Sequence, residues 1–346
     1  MPANIAVSQG RHLAFYADKP AWHNLGTVAA GAQTPEDAIA LAGTGYVVDK
    51  APVYALIDGQ MVEATDHRAT YRTDTGQVLG MVSPDYVPIQ NITPMQMLGE
   101  IVRTKEAGIV AHAALGRGER LFAVLDVASR SDLTIKRDPS RHLAFLVAQW
   151  WHDGTGALSF GPYSVRVECQ NMANAQLEWA KRQGLLVRIQ HIGNVGSAVD
   201  EARRILGYAE QSIDVWHRVM NELAEAPLPA PEARWMSDFL VQLIPDPEGD
   251  VDSRGGRALR NRVEAREAIS HLFDRSPTLV GVPNSPYRVF QAVTEYADHY
   301  RPIRIADPDK VPAARFRSLT EGPSAELKAR AAELLRQEFE VGVPVR

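Results

Sequence analysis

The chain has 346 residues, of which 45% are hydrophobic and 23% charged, a composition typical of a globular protein with one to three domains. Its formal net charge of −5 and pI of about 6.1 argue against a generally basic nucleic-acid-binding protein, although a local basic patch is compatible with both. The single cysteine excludes internal disulfides and cysteine-rich zinc sites, and it fits a reducing compartment.

The first 33 residues predict an irregular arm rather than a targeting sequence. They lack a charged region followed by an apolar run, so we predict no signal peptide. No stretch of the chain is long and apolar enough to span a membrane. We therefore expect a cytoplasmic protein with no membrane association.

Residues 34–192 combine strand and helix patterns. A first helix is predicted after Thr34, because Pro35 takes the first helical position and Asp37 follows the cap by three residues. Strands are predicted at 46–50, 53–57 (before the turn Asp58–Gly59), on both sides of Gly76 within 69–82, and at 120–128, 142–151 and 158–169, with helices at 93–102 and 172–183. This order predicts an α+β core domain with an antiparallel sheet and a β-β-β-α unit.

The pattern becomes helical after residue 193. Apolar residues spaced three or four apart predict a long helix over 197–223, and the Pro-rich segment 226–231 and the acidic segment 245–250 are breaks. Further helices are predicted at 257–273, at 286–300 with Ser285 as the cap, and from Ala325. We expect three parts: an arm over 1–33, the α+β core domain over 34–192 and a helical C-terminal region over 193–346.

The stretch 150–171 raises the possibility of a catalytic cysteine, with Cys169, His152 and Asp153 as nucleophile, base and orienting group. Strand alternation places Cys169 on the apolar face, and His152 and Asp153 lie at the distant turn end of the same hairpin. We therefore predict no catalytic residue here. Asp153 is expected to bond the turn backbone, and Asn171 is expected to cap the following helix.

The same hairpin offers possible ligand contacts at His152, Trp151 and Arg166. Trp150 and Trp151 are adjacent in a strand, so one indole belongs to each face. One is expected in the core. The other is either a base-stacking platform or an ordinary half-buried aromatic side chain.

No metal or cofactor site is predicted. The ten histidines are scattered, and the sequence contains neither HExxH nor CxxC. The glycine-rich turn Gly116–Arg120 lacks the Gly-Lys-Ser/Thr of a phosphate-binding loop, and no dinucleotide-binding fingerprint is present.

Basic residues form several groups along the chain. Solvated charged faces explain most of them, including the late group Arg254–Arg266, in which Glu264 and Glu267 alternate with the arginines. The groups near strand ends are interpreted as a rim that contacts nucleic-acid phosphates. Its predicted residues are Arg117, Arg120, Lys136, Arg137 and Arg141, followed by Lys181 and Arg182.

Six motifs occur in an order that resembles one protein family: Ala21–Thr27, Tyr71–Gly76 with Leu79–Gly80, Tyr86–Asn91, His152–Thr155, Val165–Asn171 and Ala292–His299. It is the phage/plasmid-related family that contains domain of unknown function nine-three-two. The resemblance implies mobile-element biology but transfers no activity and no catalytic residue. The β-β-β-α order is also similar to that of Rad-type single-strand annealing proteins, which implies a basic groove and a ring-forming oligomer.

We therefore expect a non-enzymatic DNA-binding protein of phage or plasmid type, which binds single-stranded DNA along the sheet during recombination and forms a homo-oligomer. One alternative is a protein-interaction or assembly component of a mobile element, with the helical half as its partner surface. The other is a hydrolase or nuclease that uses His152, Asp153 and Asp126.

Overall fold

In the computed structural model, the described residues are 5–17, 26–29, 34–104, 107–127, 134–140, 142–166, 171–172, 187–189, 198–247, 253–307, 311, 314–315, 318 and 322–342. The strands are β1 (Val7–Ser8), β2 (Arg11–His12), β3 (Ala14–Tyr16), β4 (Thr27–Val28), β5 (Val48–Ile57), β6 (Gln60–Arg72), β7 (Val78–Val82), β8 (Ala107–Leu115), β9 (Arg120–Val127), β10 (His142–Trp151), β11 (Leu158–Arg166), β12 (Asn171–Met172) and β13 (Val187–Ile189). The helices are α1 (Pro35–Ala42), α2 (Ile92–Thr104), α3 (Ala198–Glu225), α4 (Glu232–Leu243), α5 (Ser253–Arg275), α6 (Pro286–Glu295) and α7 (Pro323–Glu338).

The main sheet is built on an antiparallel meander of β8, β9, β10 and β11. Its strand order is β12-β11-β10-β9-β8-β3-β4, and β13 pairs with β11. Alternate residues of β9, such as Leu121, Ala123 and Leu125, are buried in one apolar cluster with residues of α1 and α2. Strand alternation therefore gives the sheet one face that packs against helices.

A second sheet has the order β5-β6-β7. Its long β5–β6 hairpin turns at Asp58–Gly59, and a bulge between Pro52 and Tyr54 interrupts the pairing. The base of the hairpin is buried at Val48 and Thr70, whereas its tip is exposed.

The C-terminal half is helical. Helix α3 packs against α2 and β11, and its residue Ile205 belongs to the core of the main sheet. Farther along, Trp216 and Leu223 of α3 join a second apolar core with residues of α4, α5, α6 and α7. A π-helical turn, Tyr296–Tyr300, follows α6 directly. Within the described ranges, no helix is long and apolar enough to cross a membrane.

The predicted α+β class is confirmed, with antiparallel pairing in the core and helices concentrated in the C-terminal half. The predicted cap at Thr34 is also confirmed, because its hydroxyl accepts a hydrogen bond from the Asp37 amide at 3.1 Å. The Ser285 hydroxyl likewise accepts from the Arg288 amide at 3.3 Å.

The start of the helix predicted at 172–183 is wrong. Asn171 and Met172 form β12, which pairs with Arg166 and Val165 of β11, so Asn171 is a strand residue rather than a helix cap. Pairing with the neighbouring strand satisfies the backbone groups of this segment in place of a helical turn. Residues 173–183 lie outside the described residues, as does Cys169.

Candidate nucleic-acid interface

His152 is fully buried rather than presented at the hairpin tip. Its ring Nε2 lies 2.8 Å from Asn91 Oδ1, and its carbonyl accepts a hydrogen bond from the Thr70 hydroxyl at 2.6 Å. The His152 amide also donates to the Glu119 carbonyl at 2.7 Å. The structure thus places this imidazole in a buried hydrogen-bond network, away from the surface on which a ligand contact was predicted.

Asn91 is the centre of that network. Its side-chain amide nitrogen donates to the Thr44 carbonyl at 2.8 Å, so its Oδ1 atom is the acceptor for the other partners. Trp150 Nε1 donates to this oxygen at 3.0 Å and His152 Nε2 at 2.8 Å. Trp150 is the core indole of the pair, with no exposed surface. Sequence reasoning did not single out Asn91, although it ends one of the family-like segments.

Asp153 forms the predicted Asx turn, because its Oδ1 atom accepts a hydrogen bond from the Thr155 amide at 2.9 Å. Its other oxygen, Oδ2, lies 3.3 Å from Nε of Arg120. A Cβ atom at Gly80 of β7 would lie only 2.4 Å from the Asp153 Cα atom. The turn therefore packs tightly against the small sheet, and glycine at position 80 makes that approach possible.

A buried arginine stands beside this turn. Arg72 is 3% exposed, makes two hydrogen bonds of 3.0 and 2.7 Å to Asp74, and stacks 3.9 Å above the Tyr46 ring. The Tyr46 hydroxyl donates to the Gly118 carbonyl at 2.6 Å, and burial raises the pKa of this phenol.

Arg117 and Arg120 lie at the same junction of the two sheets. Arg117 donates to the Leu79 carbonyl at 2.8 Å, and its guanidinium lies 3.8 Å from Glu119, while its side chain stays 53% exposed. Arg120 pairs with Asp153 and stands opposite Trp151 in the β9–β10 register. Three family-like segments (71–76 with 79–80, 86–91 and 152–155) contribute to a polar seam, which we define as Arg72, Asn91, Arg120, His152 and Asp153. Protein groups bond each of these side chains, and the bond from the Thr70 hydroxyl to the His152 carbonyl links the small sheet to the turn after β10.

The second predicted basic group lies at the opposite end of β9. Lys136 and Arg137 follow β9, whose 8 residues span roughly 25 Å, so these residues and Arg120 do not form one continuous rim. Lys136 Nζ pairs with Glu225 at 3.0 Å, and Arg137 is exposed. Arg141, Lys181 and Arg182 lie outside the described residues.

The predicted ligand contacts are likewise separated. Arg166 stands opposite His142, at the end of β10 that is distant from Trp151. Trp151 is half-buried, and a Cβ atom at Gly156 would lie 2.6 Å from its indole. Contact of either residue with a ligand stays a prediction.

The side chains named for a hydrolase do not converge. Asp126 is six residues along β9 from Arg120, the partner of Asp153, which separates the two carboxylates by roughly 20 Å. Among the residues that the structure describes, no three His, Cys, Asp or Glu side chains are grouped so that they could hold a metal ion.

The helical half also contains exposed arginines. Arg257 and Arg260 are exposed on α5, and Arg260 and Glu264 are four residues apart, so the three follow one face of the helix. Helix α5 packs against the π-helical turn. The charges of Glu264, Arg301 and Arg304 all act on the Tyr296 phenol, whose pKa burial raises. Tyr296 therefore lies within electrostatic range of both Glu264 and Arg304.

Tyr300, 57% exposed, is the last residue of the π-helical turn, which packs against α5. We call Arg257, Arg260, Arg304 and Tyr300 the arginine patch. Sequence reasoning assigned the α5 arginines to a solvated face because Glu264 and Glu267 alternate with them. Arg304 is 44 positions after Arg260, and no local pattern connects the two.

Buried polar groups connect the π-helical turn and α6 to neighbouring elements. Lys328 of α7 and Asp298 of the π-helical turn form an ion pair of 2.6 Å, with side chains 0% and 3% exposed. Glu295 accepts hydrogen bonds of 2.8 and 2.9 Å from the Ser276 hydroxyl. Arg301 donates to the Pro323 carbonyl at 2.7 Å, which anchors the segment that leads to Arg304.

A protein-family model with the description "Domain of unknown function (DUF932)" matches residues 78–320. The matched range, well over half of the chain, includes most of the polar seam and the whole arginine patch, but it does not include the β5–β6 hairpin. No curated protein and no solved structure matches the chain.

Proposed function

The chain belongs to the DUF932 family, and from the surface of its helical half we propose that it is a non-enzymatic protein that binds single-stranded DNA through the arginine patch. The observation that carries this proposal is the exposure of Arg257, Arg260 and Arg304. None of the three makes an ion pair with another residue of the described part of the chain, in contrast to Arg120 and Lys136.

Guanidinium groups suit phosphate because their planar donors bond two oxygens at once and stay charged at any physiological pH. Arg257 and Arg260 are three residues apart on a helix, which separates their Cβ atoms by about 5–6 Å. Both side chains therefore point to the same side, where they can contact neighbouring phosphates of one strand. Contact with phosphates releases counterions, so the binding free energy depends on the salt concentration.

The patch favours single strands over duplexes because of Tyr300. This phenol is 57% exposed in the π-helical turn, which packs against the helix that carries Arg257 and Arg260. An unpaired base can stack on such a ring, whereas the bases of a duplex are already stacked on one another. Stacking does not depend strongly on base identity, so we expect little sequence preference.

The resemblance to phage/plasmid-related proteins supports a role with mobile DNA, in which single strands are exposed during recombination. Under this proposal the sheet half is the scaffold, because the side chains of its polar seam bond other protein groups. The helical half carries the DNA contact.

The test is a salt titration of binding to a labelled oligothymidylate, followed by fluorescence anisotropy. Three phosphate contacts on a single strand predict a slope of about −2 for log K against log salt concentration between about 50 and 200 mM. The triple variant Arg257→Ala/Arg260→Ala/Arg304→Ala is expected to lose most of the affinity and most of this slope.

Two matched controls locate the contact. Arg234→Ala removes an arginine that is 82% exposed and outside the patch, and its affinity should equal that of the unaltered protein. Arg117→Ala/Arg120→Ala removes the sheet-end group instead. Loss of binding in this variant and not in the triple variant would assign the DNA to the sheet. Absence of binding at low salt in the unaltered protein refutes the proposal.

A further inference from the structure

We propose that the β5–β6 hairpin is a self-association arm, which binds the same arm of a second copy of this chain by antiparallel pairing of the outer edge of β5. This inference goes beyond DNA binding and rests on other residues. It concerns the end of the hairpin, from Val53 to Glu63, which we call the arm tip.

The arm tip exposes large apolar side chains on both of its faces. Cross-strand partners share a face, so Leu56 and Met61 lie on one face, and Ile57 and Val62 lie on the other. The exposed fractions are 48% for Tyr54, 71% for Leu56, 53% for Ile57, 67% for Met61 and 46% for Val62. A two-stranded ribbon cannot bury both of its own faces.

β5 also presents an open edge. In the order β5-β6-β7, the described residues place no strand beyond β5. An edge strand offers free backbone N–H and C=O groups to another strand. Pro52 has no N–H to donate and adjoins a bulge, which limits the useful edge to Val53–Ile57.

The arm tips also gain lateral apolar contacts when their edges pair. Five large side chains, each exposing roughly 100 Å², contribute about 500 Å² per copy, divided between the two faces of the ribbon. Edge pairing joins the two tips into one four-stranded sheet, in which Tyr54, Leu56 and Met61 of each copy lie side by side on one face and cover part of this area.

A second copy is the occupant that fits this edge best. Antiparallel pairing about a two-fold axis at Ala55 would place Leu56 of each copy opposite Tyr54 of the other, with no charged residue among the paired positions. Asp58 of one copy would stand opposite Pro52 of the other, two residues from its Lys50. The pairing therefore sets apolar groups against each other and brings opposite charges close together at its ends.

The first experiment measures the mass of the full chain without DNA, by analytical ultracentrifugation over a range of protein concentrations. The unaltered protein is expected to form dimers or larger assemblies, and Leu56→Asp/Met61→Asp is expected to weaken self-association at least tenfold. Val280→Asp is the matched control, since Val280 is 74% exposed in the helical half. A monomer at all concentrations, or equal association in the arm variant, overturns the proposal.

A cross-link tests the pairing itself. With Cys169 replaced by serine, Ala55→Cys is expected to yield a disulfide-linked dimer under mild oxidation, because antiparallel partners have Cα atoms about 4.5–5.5 Å apart, within disulfide range. Val280→Cys in the same background should stay largely monomeric. Equal yields from the two variants would show random collision and would refute the arrangement. Thermal melts that match those of the unaltered protein establish that each variant is folded.

Discussion

Substitution of Asn91 by leucine tests the polar seam most directly. Asn91 is 2% exposed, and its side chain accepts from Trp150 and His152 while it donates to the Thr44 carbonyl. Leucine keeps the approximate volume and removes these three hydrogen bonds, together with a longer one of 3.4 Å to the Tyr46 carbonyl. Two donors and one acceptor then lose this partner in a buried region.

The expected loss follows from those three groups. Each buried polar group left without its hydrogen bond costs about 1–3 kcal/mol, so Asn91→Leu should lower the free energy of unfolding by about 3–6 kcal/mol once partial relaxation is allowed. That is a large share of the roughly 5–15 kcal/mol that stabilises a typical protein. The sheet half should therefore unfold at a much lower urea concentration.

The assay is urea-induced unfolding followed by far-ultraviolet circular dichroism and tryptophan fluorescence. Asn284→Leu is the matched control, because Asn284 is exposed and, among the described residues, its side chain donates only to the exposed Glu232 carboxylate at 3.0 Å. Its cost should stay within about 0.5 kcal/mol, as for ordinary surface substitutions. A loss below about 1 kcal/mol for Asn91→Leu would refute the argument that this network stabilises the sheet half.

Three further predictions concern other buried or charged groups. Lys328→Met leaves the Asp298 carboxylate buried without its cation and should lower the free energy of unfolding in urea by about 3–5 kcal/mol. Addition of Asp298→Asn to the same chain should restore part of this loss. A double variant as unstable as the single one would contradict the prediction. Glu264→Gln removes a carboxylate beside the arginine patch and should raise the affinity for oligothymidylate about twofold to fivefold in the anisotropy assay, whereas an unchanged affinity counts against the patch. Burial lowers the pKa of His112 from 6.5 to about 4, so the unfolded chain binds a proton that the folded protein does not, and stability should fall by about 2 kcal/mol between pH 7 and pH 5. His112→Gln should remove that part of the pH dependence, and identical pH profiles for the two proteins would show that the imidazole does not cause it.

Local signals in the sequence were sufficient for many of the elements. The caps at Thr34 and Ser285 and the turn at Asp153 depend on side chains that bond backbone groups two or three residues away. Such bonds can be predicted because both partners lie in one short segment. Alternation and spacing of apolar residues similarly indicated the three strands β9, β10 and β11 and the helical C-terminal half.

The part of the hairpin from Gln60 to Arg68 was missed for a related reason. Its second half, Thr65–Arg68, is polar, so it lacks the alternation that marks a half-buried strand. Pairing with β5 forms the strand, and the exposure of its apolar tip follows from the place of the hairpin at the edge of the small sheet.

Whether a charged residue is paired or exposed depends on contacts between distant parts of the chain. Arg120 pairs with a residue 33 positions away and Lys136 with one 89 positions away, so their engagement in ion pairs had no local signature. The π-helical turn packs against α5, and Arg304 and Glu264, 40 positions apart, both act electrostatically on the Tyr296 phenol. The sequence determines the residue types and their spacing along a helix, whereas tertiary packing determines whether a given cation is paired or exposed.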